Sequence, residues 1–152
     1  MTYITARDQD YLRQRFASEL VAQVTLTLFV RPASRLFIPG QQPGTSRETQ
    51  QLLEELVTLS DKLSLDVQDV TAEPDVAEQR GVELTPTLIV GDETQRKGTL
   101  RFIGSPSGYE FVTVIEDIVD LSTGEPGLTD ETVAQLAQVT EPLHIQVFST
   151  PT

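Results

Sequence analysis

The chain has 152 residues, 23 acidic and 11 basic side chains, a formal net charge of −12, a single histidine and no cysteine. That length suits one ordinary domain, which buries about 68–70% of the surface its unfolded chain exposes, so a core can form without staples. The acidic balance opposes binding to nucleic-acid phosphates or anionic membranes, and the absence of cysteine excludes disulfides, cysteine-ligated zinc, iron–sulfur clusters and a cysteine nucleophile.

His144 alone cannot supply a multi-histidine metal site, and it is all that a serine, histidine and carboxylate triad could draw on. Residues 1–15 mix charged, polar and apolar side chains and contain neither a signal-peptide core nor a membrane span, so the chain reads by default as cytoplasmic.

In chain order, Thr5 with Asp8 three residues later forms a variant capping box, and Leu12, Phe16 and Leu20 lie on one face of the helix that follows. VTLTLFV (Val24–Val30) is a strand ended by Arg31 and Pro32. Two Pro-Gly pairs make residues 33–44 a loop. Thr45 to Glu48 reads as a capping box, and Leu52, Leu53, Leu56 and Leu59 give the second helix its buried stripe. Leu63, Leu65, Val67 and Val70 suggest a strand. Glu73-Pro74 starts and Gly81 ends a short helix around Val76. Residues 87–90 and 100–103 form a hairpin about the Gly91-Asp92 turn signal. Phe111, Val114, Ile115, Ile118 and Val119 then repeat at helical spacing and stop near Ser122, before Gly124. The order αβαβαββα implies a mixed sheet with helices on both faces.

Residues 123–128 read as a linker, residues 130–139 as another helix and residues 144–148 as another strand. LTLFVRP at 26–32 aligns with IQVFSTP at 145–151 at a constant offset, each preceded by an amphipathic helix, which suggests a duplicated unit.

Together with LLEELVTLSDKLS at 52–64, LTPTLIV at 84–90 and RFIGSPSGYEFVTVIEDIVDLS at 101–122, these stretches resemble the tandem thioredoxin-fold protein disulfide oxidoreductases, which are glutaredoxin-like. They are similar also to the N-terminal domain of the flavoprotein that reduces alkyl hydroperoxide reductase. The resemblance implies an α/β thioredoxin-like unit over 1–122, with a mixed four-stranded sheet and flanking helices. It further implies a linker over 123–128 and the opening helix and strand of a second unit over 129–152.

The family places a CxxC motif at the start of the helix after the first strand, where the helix N-terminus lowers the thiol pKa. Pro43, Gly44, Thr45 and Ser46 occupy that position here, a degenerate motif that cannot exchange disulfides. The preceding loop is longer than the family's by roughly eight residues. A second CxxC would follow the second strand, beyond Thr152. Thr85-Pro86 matches the cis-proline that faces the active loop, where the preceding residue pairs with a bound peptide as an added strand.

Other candidates carry less. The turn at residues 104–108 lacks the phosphate-loop pattern and a lysine, and reads as a helix cap. Asp66, Asp69, Glu73 and Asp75 lack the glycine turn of a calcium loop and read as a solvated face. Thr45 and Ser46 have no base placed to activate them and read as caps.

The expectation is therefore a non-catalytic unit that supports a CxxC-bearing second unit of the same protein, with protein thiols or disulfides as partners of the whole. No catalytic residue, metal or cofactor is expected in this chain. The alternative is a cysteine-free protein-binding or dimerisation module, with residues 144–149 pairing either with the first sheet or with a second copy as a homodimer.

Overall fold

The computed structural model describes residues 2–32, 45–91, 99–125 and 127–148, excepting the side chains of Thr45 and Thr99. In chain order the elements are α1 (Ala6–Glu19), β1 (Val24–Val30), α2 (Thr45–Val57), β2 (Leu63–Asp69), α3 (Pro74–Gln79), β3 (Thr87–Gly91), β4 (Thr99–Ile103), α4 (Tyr109–Thr123) and α5 (Asp130–Leu136).

Local chemistry sets most of these boundaries. Thr5 caps α1, its hydroxyl oxygen accepting from the Asp8 amide at 3.2 Å while the hydroxyl donates to the Asp8 carboxylate at 2.6 Å. Pro74 stands in the first turn of α3, where its missing N–H costs nothing. Gly124 ends α4 in the left-handed conformation, with φ +72°, and its N–H donates to the Asp120 carbonyl. The cap expected at Thr45 and the turn expected at Asp92 involve atoms outside the described residues.

The sheet order is β2-β1-β3-β4. β1 runs parallel to β2 through a crossover containing α2, and antiparallel to β3, which pairs antiparallel with β4. Strand alternation divides the apolar side chains between two faces. Leu26, Leu28, Leu88 and Val90 face a large core with Leu12 and Phe16 of α1, Leu53 and Leu56 of α2, and Val114 and Ile118 of α4. Phe29 and Ile89 face the other way, onto Ala77 of α3, with Val70, Val76 and Val82 around them. Of α1 to α4, three thus lie on one face and the short α3 on the other.

Two longer-range devices hold α1 and α4 against the sheet. Ser122, buried near the end of α4, accepts hydrogen bonds from the Val21 and Ala22 amides at 2.9 Å each and donates to the Ala22 carbonyl at 2.6 Å. Arg15 of α1 donates through both terminal nitrogens to the two oxygens of Glu116 on α4, each at 2.6 Å, and through Nε to Glu19.

One expectation is corrected. Residues 144–148 form no strand among the described residues, and they pair with neither edge of the first sheet. Ile145, Val147 and Phe148 are 81%, 86% and 90% exposed. Alternating apolar residues suit a strand, but backbone hydrogen bonding makes one only where a partner strand is present. The helix before this segment is also shorter than expected: α5 is capped by Thr129, ends at Leu136 and buries none of its residues.

Candidate functional site

The carboxyl end of β1, the start of α2 and the turn entering β3 lie around the sheet's central pair of strands. The β1–β3 register ends at the pair Phe29 and Thr87. Two residues further along that register Arg31 stands opposite Thr85, but the ladder does not continue to them. Among the described residues, neither the N–H nor the carbonyl of Thr85 makes a backbone hydrogen bond.

The Thr85–Pro86 peptide bond is cis. Its neighbours are engaged: the Pro86 carbonyl accepts from the Gly104 amide at 2.9 Å, and the Leu84 carbonyl accepts from the Thr87 hydroxyl at 2.7 Å. Pro86 is buried and Thr85 half-buried. A shallow cavity of about 330 Å³ opens beside Thr85, with Arg31, Val70, Ala77, Glu78, Val82 and Glu83 among its lining residues. Its floor is apolar, and its rim carries one cation and two carboxylates. That arrangement can hold a short extended segment by its backbone; no nucleophile paired with a base lies within it.

Of the four residues expected to form a degenerate motif, Pro43 and Gly44 lie outside the described residues. Thr45 begins α2, and Ser46 is half-buried in its first turn. His144 is exposed. The turn at 104–108 leads into α4 through Gly108 at φ +58°, with no side-chain cap. Asp69, grouped by sequence with the acidic face, accepts from the Thr71 and Ala72 amides and so closes a turn. Among the described residues no cluster of His, Cys, Asp and Glu could hold a metal ion, and no helix is long and apolar enough to cross a membrane.

A larger concavity, of about 660 Å³, takes in residues 105–108 of the turn before α4 together with Asp8 and Glu48, the last residues of the two capping boxes. It opens between the first turns of α1, α2 and α4, with Tyr3, Tyr11, Leu52, Pro106 and Phe111 in its walls. Arg15 and Glu116 border it. Their hydrogen-bonded pairing raises the guanidinium pKa and holds the Glu116 carboxyl below its ordinary range. Burial, then the charges of Asp120 and Glu116, pushes the neighbouring Asp117 carboxyl up. No single local motif announces this cavity, because its walls come from segments distant in sequence.

The chain superposes on a protein disulfide oxidoreductase from Aeropyrum pernix with a TM-score of 0.70 and 24% identity, covering 91% of this chain and 56% of that one. The fold is thioredoxin-like. The alkylhydroperoxide reductase AhpF from Enterococcus faecalis gives a TM-score of 0.70 at 23% identity, covering 86% of this chain and 58% of that one. The N-terminal domain of the same enzyme gives 0.68 at 23% identity, covering 85% and 57%. The thioredoxin-like chain therefore spans a little over half the length of these structures. No family model and no curated protein matches its sequence.

Proposed function

We propose that this chain is a non-catalytic thioredoxin-like unit that holds an extended protein segment at Thr85 and Pro86 for a CxxC-bearing second unit of the same protein. The observation that carries the reading is the Thr85 backbone, which makes no backbone hydrogen bond among the described residues, next to a cavity and at the end of a sheet whose ladder stops there. An incoming strand would take up those two groups as a ladder does, with alternate side chains entering the apolar floor. The chain has no cysteine to react with such a segment, so its part is to bind and orient. The likeness to a disulfide oxidoreductase and to an alkylhydroperoxide reductase, each matched over little more than half its length, supports thiol–disulfide exchange by the whole protein. Residues 1–122 would form the unit, 123–128 the linker and 129–152 the opening of the next unit, in a cytoplasmic protein acting on protein thiols or disulfides.

Amide hydrogen exchange, measured with and without reduced insulin B chain, tests the groove. Protection of the Thr85 N–H is expected, and unchanged exchange there would overturn the peptide-holding role. With dithiothreitol, this chain should reduce insulin no faster than dithiothreitol alone; turnover above that level would overturn the non-catalytic role.

A second reading, a cysteine-free dimerisation module, is favoured by the exposed apolar row of Leu143, Ile145 and Val147. Sedimentation separates the two: a dimer dissociated by Val147→Lys favours the module.

A further inference from the structure

Three helices begin around the larger concavity, and two of the chain's three tyrosines line it. Tyr3 and Tyr11 line it, while Tyr109 stands beside its Gly108 wall at 94% exposure. Tyr11 is 60% exposed and Val112 55%, above a floor that includes Leu12, Leu52 and Ile115. Exposed aromatic residues grouped over an apolar concavity are the composition of a partner-binding surface. Its volume of about 660 Å³ accommodates several side chains.

Charge selects the occupant. Asp8, Glu48 and Glu116 border the cavity, and among the described residues Arg15 is the one cation lining it. Arg15 is engaged by Glu116 and Glu19, whereas Asp8 and Glu48 make no ion pair among the described residues. We propose that this groove docks a protein segment presenting a lysine or arginine beside a large apolar side chain. The apolar group enters the floor, and the cation lies between the Asp8 and Glu48 carboxylates and the tyrosine faces.

A second copy of the chain is a poor occupant, since each copy brings a net charge of −12. The chain's own residues 143–148 contain no lysine or arginine. They also follow the far end of α4, which at 15 residues is roughly 22 Å long. The proposal does not depend on the Thr85 edge, so either can fail alone.

The chain has no tryptophan, so its intrinsic fluorescence reports these tyrosines. The probe is a capped hexapeptide, Gly-Phe-Lys-Leu-Phe-Gly, compared with its Glu-for-Lys counterpart by tyrosine emission and by amide NMR shifts. The lysine peptide should bind more tightly and shift the amides of Tyr11, Glu48 and Phe111. Tyr11→Ala and Glu48→Gln should each weaken it by roughly fivefold. Glu131→Gln, which removes one charge from the remote α5, should leave binding unchanged. Equal binding of both peptides, equal weakening by Glu48→Gln and Glu131→Gln, or shifts confined to other surfaces would each overturn the proposal. So would a dimer of the wild-type chain that Tyr11→Ala dissociates, or a groove that accepts peptide only after residues 143–148 are deleted. Circular dichroism of each variant separates lost binding from lost folding.

Discussion

Ser122→Ala removes the hydroxyl that clamps the end of α4 to the turn between α1 and β1. Ser122 is 1% exposed, and its oxygen serves the Val21 amide, the Ala22 amide and the Ala22 carbonyl. Without it, the Val21 N–H and the Ala22 carbonyl each lose a partner. The Ala22 N–H keeps the Ser122 backbone carbonyl at 3.3 Å. Each such hydrogen bond contributes about 0.5–1.5 kcal/mol net. Val21 is 72% exposed, so water replaces part of the loss. The expected destabilisation is about 1–2 kcal/mol, which for a domain of this size lowers Tm by roughly 2–8 °C. Urea unfolding followed by circular dichroism should show a lower midpoint at an unchanged slope. Thr123→Ala, which removes two long, exposed hydrogen bonds, to the Asp120 carbonyl and from the Glu125 amide, should cost less than about 0.5 kcal/mol. A Ser122→Ala cost no larger than that of Thr123→Ala would refute the clamp.

Leu53→Ala, at a fully buried position of α2, should cost about 2–5 kcal/mol in the same assay. Gly124→Ala places a β-carbon at φ +72° and should cost about 1–2 kcal/mol, seen as fraying of the end of α4 by hydrogen exchange. Glu116 has a folded-state pKa below its ordinary 4.5, so its pairing with Arg15 stabilises the fold above that pH and is lost as pH falls through the folded value. Because the pair is partly exposed, Arg15→Met should flatten only that acid limb, by about 1 kcal/mol at most. Asp117 has the opposite sign: its raised folded-state pKa destabilises the charged form, so Asp117→Asn should stabilise the protein at neutral pH and lose that advantage in acid. Equilibrium unfolding across pH 3–7 checks both.

The element order through α4 was legible in the sequence because its signals are local. Thr5 and Asp8 meet within one turn, Pro74 fixes its own φ, Gly124 tolerates the left-handed conformation that ends a helix, and the stripe of α4 repeats at helical spacing. Thr85-Pro86 was legible through its place before β3. The expected strand at residues 144–148 had the same alternating pattern as β1, yet β1 lies between β2 and β3 whereas residues 144–148 meet no strand among the described residues. Arg15 with Glu116, and Ser122 with Ala22, join residues about a hundred positions apart, and neither pair has a motif.

The sequence by itself determined the cysteine-free chemistry, the acidic surface, the Thr5 cap of α1 and the apolar periods of α1, α2 and α4, all of which depend on composition or on residues within a turn of each other. Tertiary structure decided that α1 to α4 divide three to one across the sheet, that the Thr85 backbone has no ladder partner among the described residues, and that three helix starts enclose one tyrosine-lined groove. Those features depend on strand order and on which faces meet, and burial settles both only after the whole chain has packed.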